Sequence, residues 1–315
     1  MNKTVLFFLA PFYAAKSTVG GQAVIEGVMM RGKEKIALSV RRKAGNIQSL
    51  VNPHIAYKER MPLLKIPILR GAATFIESLV IGMRYLSISA DFAMEDEKGV
   101  QTTKSWKDSF YLGLSIAIAF VAGMGLFFAL PYFITGVVPY TKESNPVLFN
   151  LTAGFIRIVF FLAYVWGISF MKDVKRLFQY HGAEHKSIFC FEAGQELTQE
   201  NITGFSTHHP RCGTSFLLIA AVSCILVFAV IDALIALHWA AYVHPPWHLR
   251  LAVHLPLIPL VSGISFEFLK LSDRFSANPV VGALSLPGLL LQNITTEEPD
   301  ASQIEVAVAA LKNAV

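Results

Sequence analysis

Apolar residues in this chain gather into long runs, and four of these are long enough to cross a hydrocarbon layer of ~30 Å as helices. They are Phe110–Val138, Val147–Met171 with Arg157 inside it, Thr214–His238 with Asp232 near its end, and Leu249–Leu271 with Glu267 near its end. The connections around Val138–Pro146 and Trp239–His248 are short and rich in proline or aromatics, so consecutive spans are expected to form antiparallel hairpins. Leu63–Ala93 has a different pattern. Arg70, Glu77, Arg84 and Asp91 recur every seventh residue, on one helical face and with alternating sign. This predicts an amphipathic helix on the membrane surface with its charges in water. The alternative is a fifth span whose charged stripe faces the bundle.

Ahead of that helix, Ile36–Arg42 and Ile47–Val51 flank Lys43-Ala-Gly-Asn46 and predict a β-hairpin. Gly20–Gly32 is punctuated by glycine at both ends and lacks phosphate-loop spacing. Residues 1–16 form an apolar leader, read as an interfacial or spanning anchor rather than a cleaved signal, because export would carry the most basic part of the chain across the membrane. Near the other end, Asp300-Ala-Ser-Gln303 resembles a capping box and starts a short helix through Leu311. The expected organisation is therefore the leader (1–16), a small β-containing segment (17–60), the amphipathic or membrane helix (61–94), a transmembrane hairpin (110–171), a polar loop rich in His and Cys (172–213), a second transmembrane hairpin (214–271) and a C-terminal segment (272–315). The fold class this implies is mainly α: a polytopic membrane protein of about four spans, with a small β-hairpin.

Composition agrees. Of 315 residues, 54% are hydrophobic and only 16% charged, more apolar sequence than a water-soluble core of this size uses. Lysine and arginine set the orientation: residues 1–109 carry 16, residues 172–213 carry 5 and the tail from Lys270 carries 3, against Lys142 and Arg250 on the other side. That asymmetry predicts both termini and the central loop in the cytoplasm, hence a multi-pass protein of the bacterial cytoplasmic membrane. The net charge of +5 is scattered beside apolar runs in no nucleic-acid-binding pattern, so anionic lipid headgroups are the expected partners and nucleic acid is not. Three cysteines at no framework spacing argue against a disulfide scaffold.

The polar loop carries the candidate chemistry. His181-Gly-Ala-Glu-His185 places two imidazoles at i and i+4, on one helical face, with Glu184 beside them. This is the spacing of inverted zinc-protease motifs, in which the carboxylate is the general base toward water. His208-His-Pro-Arg-Cys-Gly213 ends where the third apolar run begins, so Cys212, His208 or His209 could supply a third ligand. Glu267 is a further candidate, or else a partner for a nearby Arg or Lys. Glu192 is a weaker one. Arg157 and Asp232 lie at similar depth and are expected to pair structurally. His238, His244, His248 and His254 are expected in an interfacial belt with Trp239 and Trp247.

Four stretches, Gly20–Gly32, His181-Gly-Ala-Glu-His-Lys186, His208-His-Pro-Arg-Cys-Gly-Thr214 and Leu291-Gln-Asn-Ile-Thr-Thr-Glu-Glu-Pro299, resemble the YqhQ-like family of bacterial multi-pass membrane proteins. That family is catalogued as a domain of unknown function and described as a predicted metal-dependent enzyme. The resemblance covers about Gly20 to Lys312. It implies that Glu26 and Arg31, in the first motif, lie near the His cluster as supporting or substrate-binding groups, as would Lys186 and Arg211 in the second and third. The leading expectation is a zinc-dependent (or other divalent-metal) hydrolase acting on a membrane peptide or lipid at the cytoplasmic interface. A non-enzymatic scaffold or assembly factor with a structural metal is the second, and a transporter using Arg157, Asp232 and Glu267 the third.

Overall fold

Four short antiparallel strands open the computed structural model, which describes residues 19–98, 106–137, 146–239, 242, 246–275 and 278–315. They are β1 (Gly20–Val24), β2 (Gly27–Arg31), β3 (Lys35–Arg41) and β4 (Ile47–Pro53), in the order β1-β2-β3-β4. The expected hairpin is present as β3–β4, with Leu38 opposite Leu50 and Gly45 at φ +90° in the connection. Two further strands stand where the glycine-punctuated segment suggested none. Their signal is hidden because both faces of the sheet are covered, so Val28-Met29-Met30 runs apolar without alternation. Val28 and Met30 enter one core with Ala37; Met29 enters the other with Ile36, Leu38 and Val40.

The first face is covered by α5 (Lys172–Glu192) and α11 (Ala301–Ala314). Asp300 and Gln303 close a reciprocal capping box at the start of α11, as the sequence predicts. At its far end the Ala314 carbonyl lies where a Cβ on Gly32 would stand, 1.9 Å away, so that position needs glycine. The second face is covered by α1 (Leu69–Lys98) through Ile81, Tyr85, Ile88 and Phe92.

The seven-residue charge stripe of α1 does not face water as a whole. Glu77 is almost fully buried and accepts hydrogen bonds from Arg31 (3.0 Å) and the Tyr57 amide (2.8 Å), with His54 Nε2 3.5 Å away. Arg70 donates in a two-pronged pair to Glu267 (2.6 and 2.5 Å). Arg84 alone of these three is exposed. The helix instead turns Ile76, Leu79, Val80 and Met83 outward. Charges satisfied by partners can be inside, so amphipathic spacing identified a face without identifying what that face meets.

The rest is helical. α2 (Trp106–Met124) passes through a π-turn at Gly125–Ala129 into α3 (Leu130–Gly136). Then come α4 (Pro146–Ser169), α5, the short α6 (Gln199–Thr203), α7 (Gly213–His238), α8 (Trp247–His254), α9 (Ile258–Arg274) and α10 (Pro279–Thr295). Among the described residues, three helical stretches are long and apolar enough to cross a membrane: Leu151–Ser169, Gly213–His238 and Leu251–Ser272. The expected first span, Phe110–Val138, yields only the shorter apolar stretch Gly113–Phe127. α7 packs against α4, α9 and α10, and α9 against α1, where Gly71 and Gly263 let the backbones approach closely. The outer surfaces of α4 and α7 remain apolar, with Phe155, Trp166, Phe170, Leu226 and Val230 exposed. Asp232, expected to pair with Arg157, accepts described hydrogen bonds from Tyr242 (3.0 Å) and His254 Nε2 (2.8 Å). The leader 1–16, His244 and much of both interhelical connections lie outside the described residues.

Glu77 ties sheet, connection and α1 together, and Arg31 has no equivalent anion in its described contacts. Glu77→Ala is expected to lower unfolding stability by about 3 kcal/mol or more, since it strands a partly buried guanidinium. Chemical denaturation of purified protein checks this, and a loss below about 1 kcal/mol would show that water takes over the carboxylate's role.

Candidate metal centre

The centre is built where three segments converge. α4 ends as Met171 adopts extended backbone, and α5 leaves in a new direction, which frees its polar face from the apolar bundle. Helical periodicity then stacks His181 and His185, ring centroids 4.4 Å apart. The irregular stretch after α6 returns to Cys212, the N-cap of α7, whose sulfur accepts from the Thr214 amide at 3.4 Å. The third segment is the end of α10 and the irregular stretch beyond it. The Glu297 amide donates to the Phe178 carbonyl (3.0 Å), and the Glu297 carbonyl sits 2.1 Å from where a Cβ on Gly182 would stand. Glycine at 182 is what lets the tail lie directly on α5.

Backbone carbonyls set both imidazoles. His181 Nδ1 lies 2.7 Å from the Thr295 carbonyl and His185 Nδ1 lies 2.5 Å from the Thr207 carbonyl. A carbonyl only accepts, so each Nδ1 carries a proton and each Nε2 faces the cluster, where a bound metal would take the place of any proton it holds. His181 Nε2 meets Cys212 Sγ at 3.2 Å. One ligand atom from each of His181, His185 and Cys212 lies within 4.8 Å of the others. Bonds of ~2.0–2.3 Å to zinc in tetrahedral geometry put ligand atoms ~3.3–3.8 Å apart, so the set comes within about 1 Å of that spacing and the side chains would close the difference on binding. Orienting histidine ligands through the other ring nitrogen is the usual second support of such sites.

Electrostatics agree with the geometry. Burial opposes a charge on His181, yet the Cys212 sulfur beside it raises the imidazole to about 9. Burial likewise opposes the thiolate, but His181 and His185 outweigh it and hold Cys212 well below the ordinary thiol range. Glu184 is buried, which pushes its carboxyl up, against the pull of His185 and His181. It also accepts the backbone N–H of Gly21, where a side chain could not fit: a Cβ there would stand 2.8 Å from Glu184 Oε1. The cluster thus gathers a thiol group, two imidazoles and a carboxyl group away from water.

The other expected residues divide. His209 is buried beside His185, its Nδ1 accepting from the Arg211 amide (3.2 Å) and its Nε2 3.7 Å from Glu192. Burial keeps it neutral. The Arg211 guanidinium pairs with Glu192. His208 turns away to Asn293 (2.8 Å). Lys186 donates to the Thr203 carbonyl (3.0 Å) and pairs with Glu298 (2.7 Å), closing the tail over α5. Glu26 and Arg31 are not beside the cluster. Glu26 pairs with Arg176 and accepts from Tyr180 (3.3 Å), whereas Arg31 is bound to Glu77. Glu267 is engaged by Arg70, and Arg157 lies within α4.

Sequence reasoning passed over Gly21, Gly182, Thr207, Gln292 and Thr295. Gln292 is fully buried and brackets His209, accepting its N–H (2.7 Å) and donating to its carbonyl (2.8 Å) and to Ser215 (2.8 Å). A glutamine in an otherwise apolar helix is a signal; Thr207 and Thr295 act through their carbonyls, which no residue type advertises.

A family model described as a protein of unknown function, DUF1385, matches residues 66–315. The uncharacterized protein YqhQ of Bacillus subtilis (strain 168) is 33% identical over 297 residues, spanning 92% of this chain and 89% of that one. No solved structure matches.

Two substitutions separate roles within the cluster. His208→Ala is expected to leave metal affinity within about threefold of wild type, whereas His185→Ala lowers it at least about a hundredfold. Titration of chelator-stripped protein with zinc reads both, and equal losses would refute the assignment. Gly182→Ala is expected to weaken zinc binding without touching a ligand, by lifting the tail and the Thr295 carbonyl from α5.

Proposed function

We propose, from the premise that this chain belongs to the DUF1385 family of proteins of unknown function, that it is a multi-pass membrane protein with a divalent-metal hydrolase centre at its cytoplasmic face. The observation that carries the reading is the convergence of His181, His185 and Cys212 with both Nδ1 atoms tied to carbonyls, leaving three soft and borderline donors aimed at one point. Three protein ligands leave one position of a tetrahedral zinc site open, the arrangement used in catalysis rather than in closed structural sites. Zinc bound there supplies Lewis acidity toward a polarised carbonyl.

This chain's residues would do the rest. Glu184, three residues after His181 and facing the same cluster, takes a proton from the attacking water and returns it to the leaving group. Gly21 orients the carboxylate by its amide. His181 and His185 keep their tautomers through Thr295 and Thr207. Lys186 and Glu298 hold the tail down and limit access of bulk water.

The membrane setting rests on the three long apolar helices and on their exposed large side chains, which only hydrocarbon accommodates without cost. Cys212 caps one of those helices, so the centre lies at the edge of the apolar layer. The Lys and Arg asymmetry puts that edge and both termini in the cytoplasm. A closed structural metal, in a scaffold protein, is the second reading, and it is favoured by the near-complete burial of His185, Glu184 and Cys212.

Elemental analysis of protein purified without chelator, wild type beside His181→Ala/His185→Ala, tests the proposal. About one equivalent of metal in the wild type and its loss in the variant is the expected result; a metal-free wild type would sink the hydrolase. Glu184→Gln then distinguishes the two readings. It retains metal in either case, but abolishes hydrolysis by at least about a hundredfold only where the carboxylate handles protons.

A further inference from the structure

Strand β1 is an edge of the sheet, and it runs beside the helix that carries the His pair. Its hydrogen-bonding phase can be worked out. A two-residue turn at Ile25–Glu26 joins it to β2, with Val24 opposite Gly27 as the closing pair. Val24, Gln22 and Gly20 therefore exchange bonds with β2, while Ala23 and Gly21 turn their N–H and C=O groups outward. Glu184 stands against this strand, its Oε1 2.8 Å from where a Cβ on Gly21 would lie. Among the described residues, the outward N–H and C=O of Ala23 and the C=O of Gly21 have no backbone partner. Gly20 and Gly21 are exposed and carry no side chain to hold another backbone off.

We infer that β1 is the substrate-docking strand of the proposed hydrolase, and that the substrate is an extended peptide segment rather than a lipid. The inference rests on the hydrolase reading and names its substrate class. An added strand lies ~4.8 Å from β1 and needs alternating donors and acceptors at strand spacing, which a polypeptide has and an acyl chain or ester lacks. The edge ends at Glu184, so a segment paired with Ala23 and the Gly21 carbonyl is led directly to the carboxylate and the three donors beside it. An exposed sheet edge is otherwise a liability that proteins cover or charge, and the outward side of Gly20–Ala23 bears no charged residue. In the reaction, water adds across the amide C–N bond. Its oxygen joins the carbonyl carbon as the C–N bond breaks, one of its protons passes through Glu184 to the departing nitrogen, and the other leaves the new carboxylic acid for the amine, so that a carboxylate and an ammonium result.

Hydroxamates of graded structure test this on the full-length, zinc-loaded protein, with binding measured by calorimetry. Acetohydroxamate reports the metal alone. Trialanyl hydroxamate is expected to bind about tenfold tighter, the gain of two net backbone hydrogen bonds. N-methylation of its amides should erase that gain on the unaltered protein. Ala23→Pro, which removes the outward N–H, should erase it from the protein side while leaving acetohydroxamate unaffected. Two outcomes overturn the docking strand while preserving the metal: equal affinities for the trialanyl compound and its N-methylated form, or an octanoyl hydroxamate that gains as much and ignores Ala23→Pro. If acetohydroxamate itself fails to bind, the hydrolase reading falls and this inference falls with it.

Discussion

Two backbone carbonyls pointing at two imidazole Nδ1 atoms are the constraint from which the centre follows. Thr207 belongs to the irregular stretch before α7 and Thr295 to the end of α10, yet both face the same turn of α5. Each bond fixes a ring plane and leaves the other ring nitrogen, Nε2, facing the Cys212 sulfur. Burying a thiolate against imidazole is costly unless the charge is answered at short range, and here it is answered on both sides.

Holding those carbonyls in place takes much of the fold. Gln292 clamps the chain at His209 to α10, Gly182 admits the tail onto α5, and Lys186 joins the tail through Glu298. The sheet contributes from below. α5 packs on it through Tyr180 and Ala183, and its edge strand offers the Gly21 amide to Glu184. α11 fills the rest of that face, so its capping box and the glycine at position 32 serve the site indirectly by fixing the layer α5 rests on. A polar centre of this kind needs rigid neighbours, since a displacement of about 1 Å is enough to spoil a coordination sphere.

The bundle half has a different logic. Its helices carry apolar side chains outside as well as inside, and among the described residues polar ties between them include Tyr242 and His254 on Asp232, Arg70 on Glu267 and Gln292 on Ser215. Glycine at Gly71, Gly263 and Gly154 lets those helices pack closely, against one another and against Ile225. The meeting of the two halves at Cys212 lets a water-facing α/β layer and an apolar bundle share one reactive group.

Residue order alone determined the long helices, the β3–β4 hairpin, the last helix with its cap and the pairing of His181 with His185, because each depends on periodicity or on local hydrogen bonds. It also marked Cys212, through its position beside a second histidine pair. What periodicity cannot carry is which distant segment meets which face. The apolar run Val28–Met30 hid a strand because it is covered twice; two of the seven-residue charges of α1, Glu77 and Arg70, meet Arg31 and Glu267 rather than water alone; Glu26, Arg31 and Glu267 found ion-pair partners far away in sequence and so left the cluster. Only the tertiary structure chose Cys212 over His208 and His209 as the third donor, since that choice rests on backbone carbonyls and a buried glutamine whose directions are set by the assembled chain.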